Sequence, residues 1–148
     1  MAADDPEGWT IYERVRKKAK SYIENGDVFL ITSDNNVLVN VLQQASTVII
    51  QKSIREGFGL TVTESLWKKT PVVGSNVGGI TLQIKDGENG FIVDPFDIKK
   101  CAERVIDLIK DSEKRKKMGE KGREHVRKNF LMTRLLKDYL ELLNETLL

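Results

Sequence analysis

The sequence predicts an α/β fold, a doubly wound parallel sheet followed by C-terminal helices. Three observations lead there. Short, continuous apolar runs recur at residues 28–31, 48–50 and 70–74, with the length and β-branched content of strands covered on both faces. The segments between them place apolar residues three and four apart, the helical period. Strand and helix therefore alternate along the chain, the order that gives a parallel sheet with right-handed crossovers.

Taken in order, Asp5 is placed to cap a first helix and Pro6 suits its first turn. Tyr12, Val15, Ala19, Tyr22 and Ile23 mark one face of that helix, and Asn25-Gly26 ends it. Val28, Phe29, Leu30 and Ile31 read as a buried strand. Ser33, Asp34, Asn35 and Asn36 are turn and cap residues ahead of a second helix marked by Leu38, Val41, Leu42 and Ala45. Val48, Ile49 and Ile50 form the next strand, and a loop and helix follow to about Lys68. Pro71 is tolerable only at the start of a third strand, through Val72 and Val73. Asp86-Gly87-Glu88-Asn89-Gly90 is a turn, Phe91, Ile92 and Val93 a short outer strand, and Asp97 the cap of a helix carried by Ile98, Cys101, Ala102, Val105, Leu108 and Ile109. Residues 110–128 are strongly charged, a helix with a narrow apolar stripe at Met118 and Val126. Phe130, Met132, Leu135, Leu136, Tyr139, Leu140 and Leu143 mark a final amphipathic helix.

The whole is organised around residues 55–64, Arg-Glu-Gly-Phe-Gly-Leu-Thr-Val-Thr-Glu. A strand, a glycine loop and a helix start in that order present free backbone N–H groups at the positive end of a helix dipole, which suits a phosphate. Gly57 and Gly59 can take positive φ and let a ligand approach the backbone. Glu56, before the first glycine, is placed to accept hydrogen bonds from sugar hydroxyls, and Glu64, about one turn inside the helix, to reach a ribose diol. Neither would bind the phosphate itself, since like charges repel. Two glutamates eight apart are common in a charged chain, so the spacing alone carries little. A second glycine loop, Asn76-Val77-Gly78-Gly79-Ile80, follows a strand and so lies at the same carboxyl edge, where such sheets bind ligands; Gly78 and Gly79 are equally readable as plain turn glycines.

Composition narrows the classes further. The 148 residues allow one domain with a substantial core, and 40% hydrophobic content fits a globular protein. A net charge of +2, from 24 basic and 22 acidic residues, gives no reason to expect nucleic acid. The cluster Lys114, Arg115, Lys116 and Lys117 lacks interleaved aromatics and has Glu113 and Glu120 beside it, as a solvated helix face does. Cys101 is the sole cysteine, so no disulfide forms within the chain, and its place on an apolar helix face predicts a buried thiol. No run approaches the roughly 20 apolar residues of a membrane span, and the first residues lack the regions of a signal peptide, so the expectation is a cytoplasmic protein. No Asp-x-Asp and no cluster of His with carboxylates suggests a metal, and no cofactor is expected.

The decapeptide at 55–64 resembles the E-x7-E segment of retaining GT-B glycosyltransferases of the family 4 type, within it most the members that join a nucleotide-activated glucose to glucose. Residues 4–9, 70–74, 77–80, 86–91 and 126–130 also look like family segments, so the resemblance covers nearly the whole chain. It implies a Rossmann-like domain, the C-terminal, nucleotide-sugar-binding half of a GT-B enzyme, over residues 1–148. On matching positions it implies that Glu56 contacts the transferred sugar and is the catalytic-site residue of this half. The backbone of Gly57, Phe58, Gly59, Leu60 and Thr61 would meet the sugar and pyrophosphate, Glu64 would hold the ribose, and Thr32 and Ser33 would lie near the base. The Arg and Lys that family members use on the diphosphate would precede Met1, and the N-terminal acceptor domain with its histidine is not in this sequence. His125 is a poor substitute.

The function so implied is donor binding in retaining transfer of glucose from UDP-, ADP- or GDP-glucose to a sugar acceptor, with the chain inactive alone. Preorganised N–H donors would stabilise charge developing on the departing diphosphate. The alternative is a non-catalytic, free-standing domain that self-associates through an unpaired sheet edge or binds a partner.

Overall fold

A computed structural model of the chain describes residues 6–32 and 34–147. Asp5 and Ser33, both read as cap or turn residues, lie outside the described residues, as does the segment 1–4. The chain divides into two units, residues 1–38 and residues 39–148.

In the first unit, α1 (Pro6–Lys18) starts at the expected proline, and a break at Ala19 separates it from α2 (Lys20–Glu24). Gly26 then takes φ +78°, the left-handed turn that ends a helix. Val28, Phe29, Leu30 and Ile31 do not form the expected strand. Phe29 is 77% and Ile31 52% exposed, alternating with half-buried Val28 and Leu30. A parallel strand needs ladder partners as well as covering layers, and an apolar run speaks only to the layers. The backbone N–H of Leu38 donates to Asn35 Oδ1 at 3.0 Å, so Asn35 caps α3 (Asn36–Ala45).

The second unit holds a three-stranded parallel sheet, in the order β1 (Ile49–Gln51), β2 (Val72–Ser75), β3 (Gly90–Val93). Ile49 is in register with Val72, and Val72 with Gly90. Between the strands run α4 (Leu60–Trp67) and the short α5 (Ile80–Gln83); after them come α6 (Ile98–Lys110), α7 (Ser112–Asn129) and α8 (Met132–Leu147). Asp97 caps α6 as expected, its Oδ1 accepting from the Lys100 N–H at 2.8 Å, and Asp111 does the same for α7 with Lys114.

Successive residues of a strand face opposite sides, and β2 shows this directly. Val72 packs with Val62, Leu66, Ile80, Ile84 and Val126 under α4, α5 and the end of α7. Val73 packs with Phe91, Val93, Cys101, Leu108 and Met118 under α6 and the start of α7. Burial of each such side chain is worth about 1.5–3 kcal/mol, and both faces of β2 are covered. The charged α7 comes close to α4 because Gly119 and Gly122 offer no side chain there; a Cβ on Gly119 would stand 2.1 Å from the Lys69 carbonyl oxygen. Its basic cluster is partly spent on the fold. Lys114 pairs with Asp107 at 2.5 Å and lies over the Phe91 ring, while Arg115 donates to the Leu108 carbonyl at 2.7 Å. Among the described residues no helix is long and apolar enough to cross a membrane.

Candidate functional site

Parallel strands all point their carboxyl ends the same way, so the loops after β1 and β2 meet at one edge. They are bonded there. The N–H of Gly79 donates to the Gly57 carbonyl at 2.8 Å, and a Cβ on Gly78 would lie 1.7 Å from the Glu56 carbonyl oxygen. Gly79 is equally confined, its Cβ position 2.7 Å from backbone atoms of Gly57 and Phe58. These glycines are therefore there for contact between two backbones, which the sequence left undecided.

The first loop enters α4 through Gly59, at φ +87°. Only glycine adopts that conformation without steric cost. Gly57, by contrast, is not in the left-handed region, and a Cβ there would meet nothing within 4 Å. Helix α4 has no side-chain cap, and its first internal bond is from the Val62 N–H to the Gly59 carbonyl at 2.9 Å. Among the described residues no acceptor meets the N–H groups of Leu60 and Thr61. The helix start thus has unpaired donors, a condition that an anion-binding terminus requires.

Glu56 and Glu64 flank this shelf, and each is steadied through one oxygen. Glu56 Oε2 accepts from Gln51 Nε2 at 3.2 Å and from Ser53 Oγ at 3.3 Å. Glu64 Oε2 accepts from Gln43 Nε2 at 2.9 Å. Gln43 is itself fixed on its other side, its Oε1 accepting from Lys68 and its backbone carbonyl from Thr70 Oγ1. Because an ammonium only donates and a carboxylate only accepts, the Gln43 amide has one workable orientation, with its NH2 toward Glu64. In both glutamates Oε1 has no hydrogen-bond donor among the described residues.

Other expected positions fall as follows. Phe58 is 40% exposed and its ring meets Phe130 at 5.7 Å between centroids; Leu60 is 67% exposed. Thr32 lies exposed in a non-helical segment of the first unit, and Ser33 lies outside the described residues. His125 packs edge-on to Phe130 at 5.5 Å, with Nε2 3.2 Å from the Leu82 carbonyl, a structural place on α7. Sequence reading missed the amides Gln43, Gln51 and Gln83. Glutamine marks no motif, although Gln43 and Gln83 inside otherwise helical, partly apolar segments were a signal of buried polar contacts.

The fold and this edge define a glycosyltransferase domain. The family profile described as Glycosyl transferases group 1 matches residues 8–125, and the chain belongs to that family. Its sequence is 50% identical over 147 residues to the trehalose synthase of Pyrococcus horikoshii, a match covering 97% of this chain and 34% of that protein. The chain thus spans about a third of the length of that curated relative. Among solved structures it is similar to a glycosyltransferase from Rickettsia africae, with a TM-score of 0.82 and 26% identity over 96% of this chain and 38% of that one. It is also similar to the C-terminal domain of a group 1 glycosyltransferase, LpcC, from Francisella tularensis, with a TM-score of 0.71 and 25% identity over 86% of this chain and 66% of that one.

Proposed function

We propose that the chain is the donor-binding domain of a retaining glycosyltransferase that moves glucose from a nucleoside-diphosphate glucose to a sugar acceptor, as its similarity to trehalose synthases suggests, and that it is inactive alone. One observation carries the reading: two steadied carboxylates, each with an oxygen open to hydroxyl donors, stand either side of unpaired N–H groups at a helix start. A glucosyl nucleotide has the matching parts in sequence, namely sugar hydroxyls, a diphosphate and a ribose diol.

In this reading Glu56 holds the transferred sugar, Glu64 holds the ribose, and the backbone of residues 57–61 receives the diphosphate. The N–H dipoles are fixed before reaction, so they stabilise charge appearing on the leaving diphosphate without reorganising. No side chain here is assigned as a nucleophile. The acceptor, its domain and a cytoplasmic location belong to the same proposal. Calorimetric titration with UDP, ADP, GDP and their glucose conjugates tests it. Saturable binding to one base series, weakened about ten-fold or more in Glu64→Ala, is the expected result; no binding by folded protein refutes it.

Self-association is a second reading, favoured by one observation. β1 pairs with β2 alone among the described strands, and Ile50 on it is 51% exposed. Sedimentation at increasing concentration would show a dimer under this reading and a monomer otherwise.

A further inference from the structure

Gln83, the last residue of α5, is completely buried, yet the sequence resemblance assigns it nothing. Its amide is fully committed. Nε2 donates to the Phe58 carbonyl at 2.5 Å and, at 3.4 Å, to that of Gly59. Oε1 accepts from Thr63 Oγ1 at 2.5 Å, and the Gln83 backbone carbonyl accepts from Asn89 Nδ2 at 3.1 Å. The Phe58 and Gly59 carbonyls only accept, so they fix the NH2 end toward the loop, and the Thr63 hydroxyl anchors the other end.

The consequence lies in peptide geometry. The chain has no cis peptide bonds among its described residues, and in a trans peptide the C=O and the next N–H point opposite ways. Drawing the Phe58 carbonyl toward Gln83 turns the Gly59 N–H away from it, while the Gly59 carbonyl, and with it the Leu60 N–H, is already aligned by its bond from the Val62 N–H at 2.9 Å. One step earlier, the Gly57 carbonyl is held by the Gly79 N–H, which turns the Phe58 N–H outward. The N–H groups of Phe58 and Gly59 then face away from the supporting loop just before the unpaired N–H of Leu60, a run of donors of the kind that binds anions.

The geometry points to Gln83 as a positioning residue: by holding the Phe58 carbonyl inward, it aims the Gly59 N–H, next to the unpaired N–H of Leu60, at the diphosphate of the donor. This rests on the donor-binding reading for the identity of the ligand, but the aiming of the amides does not. Gln83→Met keeps the length and removes the donor; Thr63→Val keeps the shape and removes only the hydroxyl that anchors the amide oxygen.

Amide NMR of the ligand-free chain gives the first readout, and titration with UDP, ADP or GDP against the bare nucleosides gives the second. In Gln83→Met the Gly59 resonance should move and broaden while those of Val93 and Leu108 stay in place. Nucleoside-diphosphate affinity should fall about ten-fold with nucleoside affinity unchanged, and Thr63→Val should give about a three-fold loss in the same direction. A purely structural role would weaken both ligands together or neither. Unmoved shelf resonances with unchanged diphosphate affinity overturn the inference. If Gln83→Met does not fold, Thr63→Val decides by the same two readouts. Failure of the parent chain to bind any nucleoside diphosphate sinks the donor reading, and the ligand-free resonances still decide whether Gln83 sets the shelf.

Discussion

The two glycine loops at the carboxyl edge look alike in sequence and differ in what their glycines do. In the first, Gly57 borders open space and Gly59 supplies a left-handed turn. In the second, Gly78 and Gly79 are pressed against the backbone of the first. One loop borders open space and the other is its buttress. A glycine beside a site is thus no evidence of ligand contact by itself; what a Cβ would touch distinguishes the cases.

Alanine substitutions should rank accordingly. Gly78→Ala is expected to be the most damaging, because its Cβ would stand 1.7 Å from the Glu56 carbonyl oxygen at a φ of +47°. Overpacking against backbone and left-handed strain add to about 3 kcal/mol or more, read as a lower urea midpoint, with donor binding lost as well. Gly79→Ala should cost about 2 kcal/mol, since it meets three backbone atoms at 2.7 Å without positive φ. Gly59→Ala has 3.4 Å to its nearest neighbours, so only its φ of +87° tells, at about 1 kcal/mol. Gly57→Ala should leave stability within about 0.5 kcal/mol while reducing nucleotide-sugar affinity in calorimetry. A Gly57→Ala chain as unstable as Gly78→Ala would break the distinction between the loops.

A remote control sharpens it with the smallest effect. Hydrogen bonds from Arg127 and Lys128 hold the Glu124 carboxyl at about 2, below its ordinary 4.5. A depressed folded-state value means that the ion pairs add stability above pH 4.5, lost as pH falls toward 2. The melting-temperature gap between the parent and Glu124→Gln should be small, as for any exposed pair, and should close across that acid window. Shelf variants should show no such window.

What could be read from sequence was local. The alternating strand and helix patterns from Val48 onward, the Asp97 cap and the glycine loop that opens α4 each depend on neighbours within a turn or two, and they stand. Val28 to Ile31 failed because strand formation depends on ladder partners distant in sequence. The buttress role of Gly78 and the aiming by Gln83 were invisible for a related reason. Each is a contact across more than 20 residues, and neither glycine nor glutamine advertises its partner. The steadying of Glu64 by Gln43 spans 21 positions in the same way. The candidate site residues with open donors and acceptors lay in one stretch, while the residues that hold them were dispersed.

Cys101 offers a clock for this architecture. It is the sole thiol, 8% exposed and packed with Val73 and Phe91 beneath α6. A thiol reagent reaches it only when α6 lifts from the sheet, so its labelling rate divided by that of a free cysteine gives the opening constant of this layer. The α4 layer that carries the shelf and the α6 layer share β2, through Val72 on one face and Val73 on the other, and a nucleotide that binds only the closed form should slow the labelling in proportion to its saturation. Ligand occupancy then becomes readable as the waiting time of a single sulfur atom, with no activity assay.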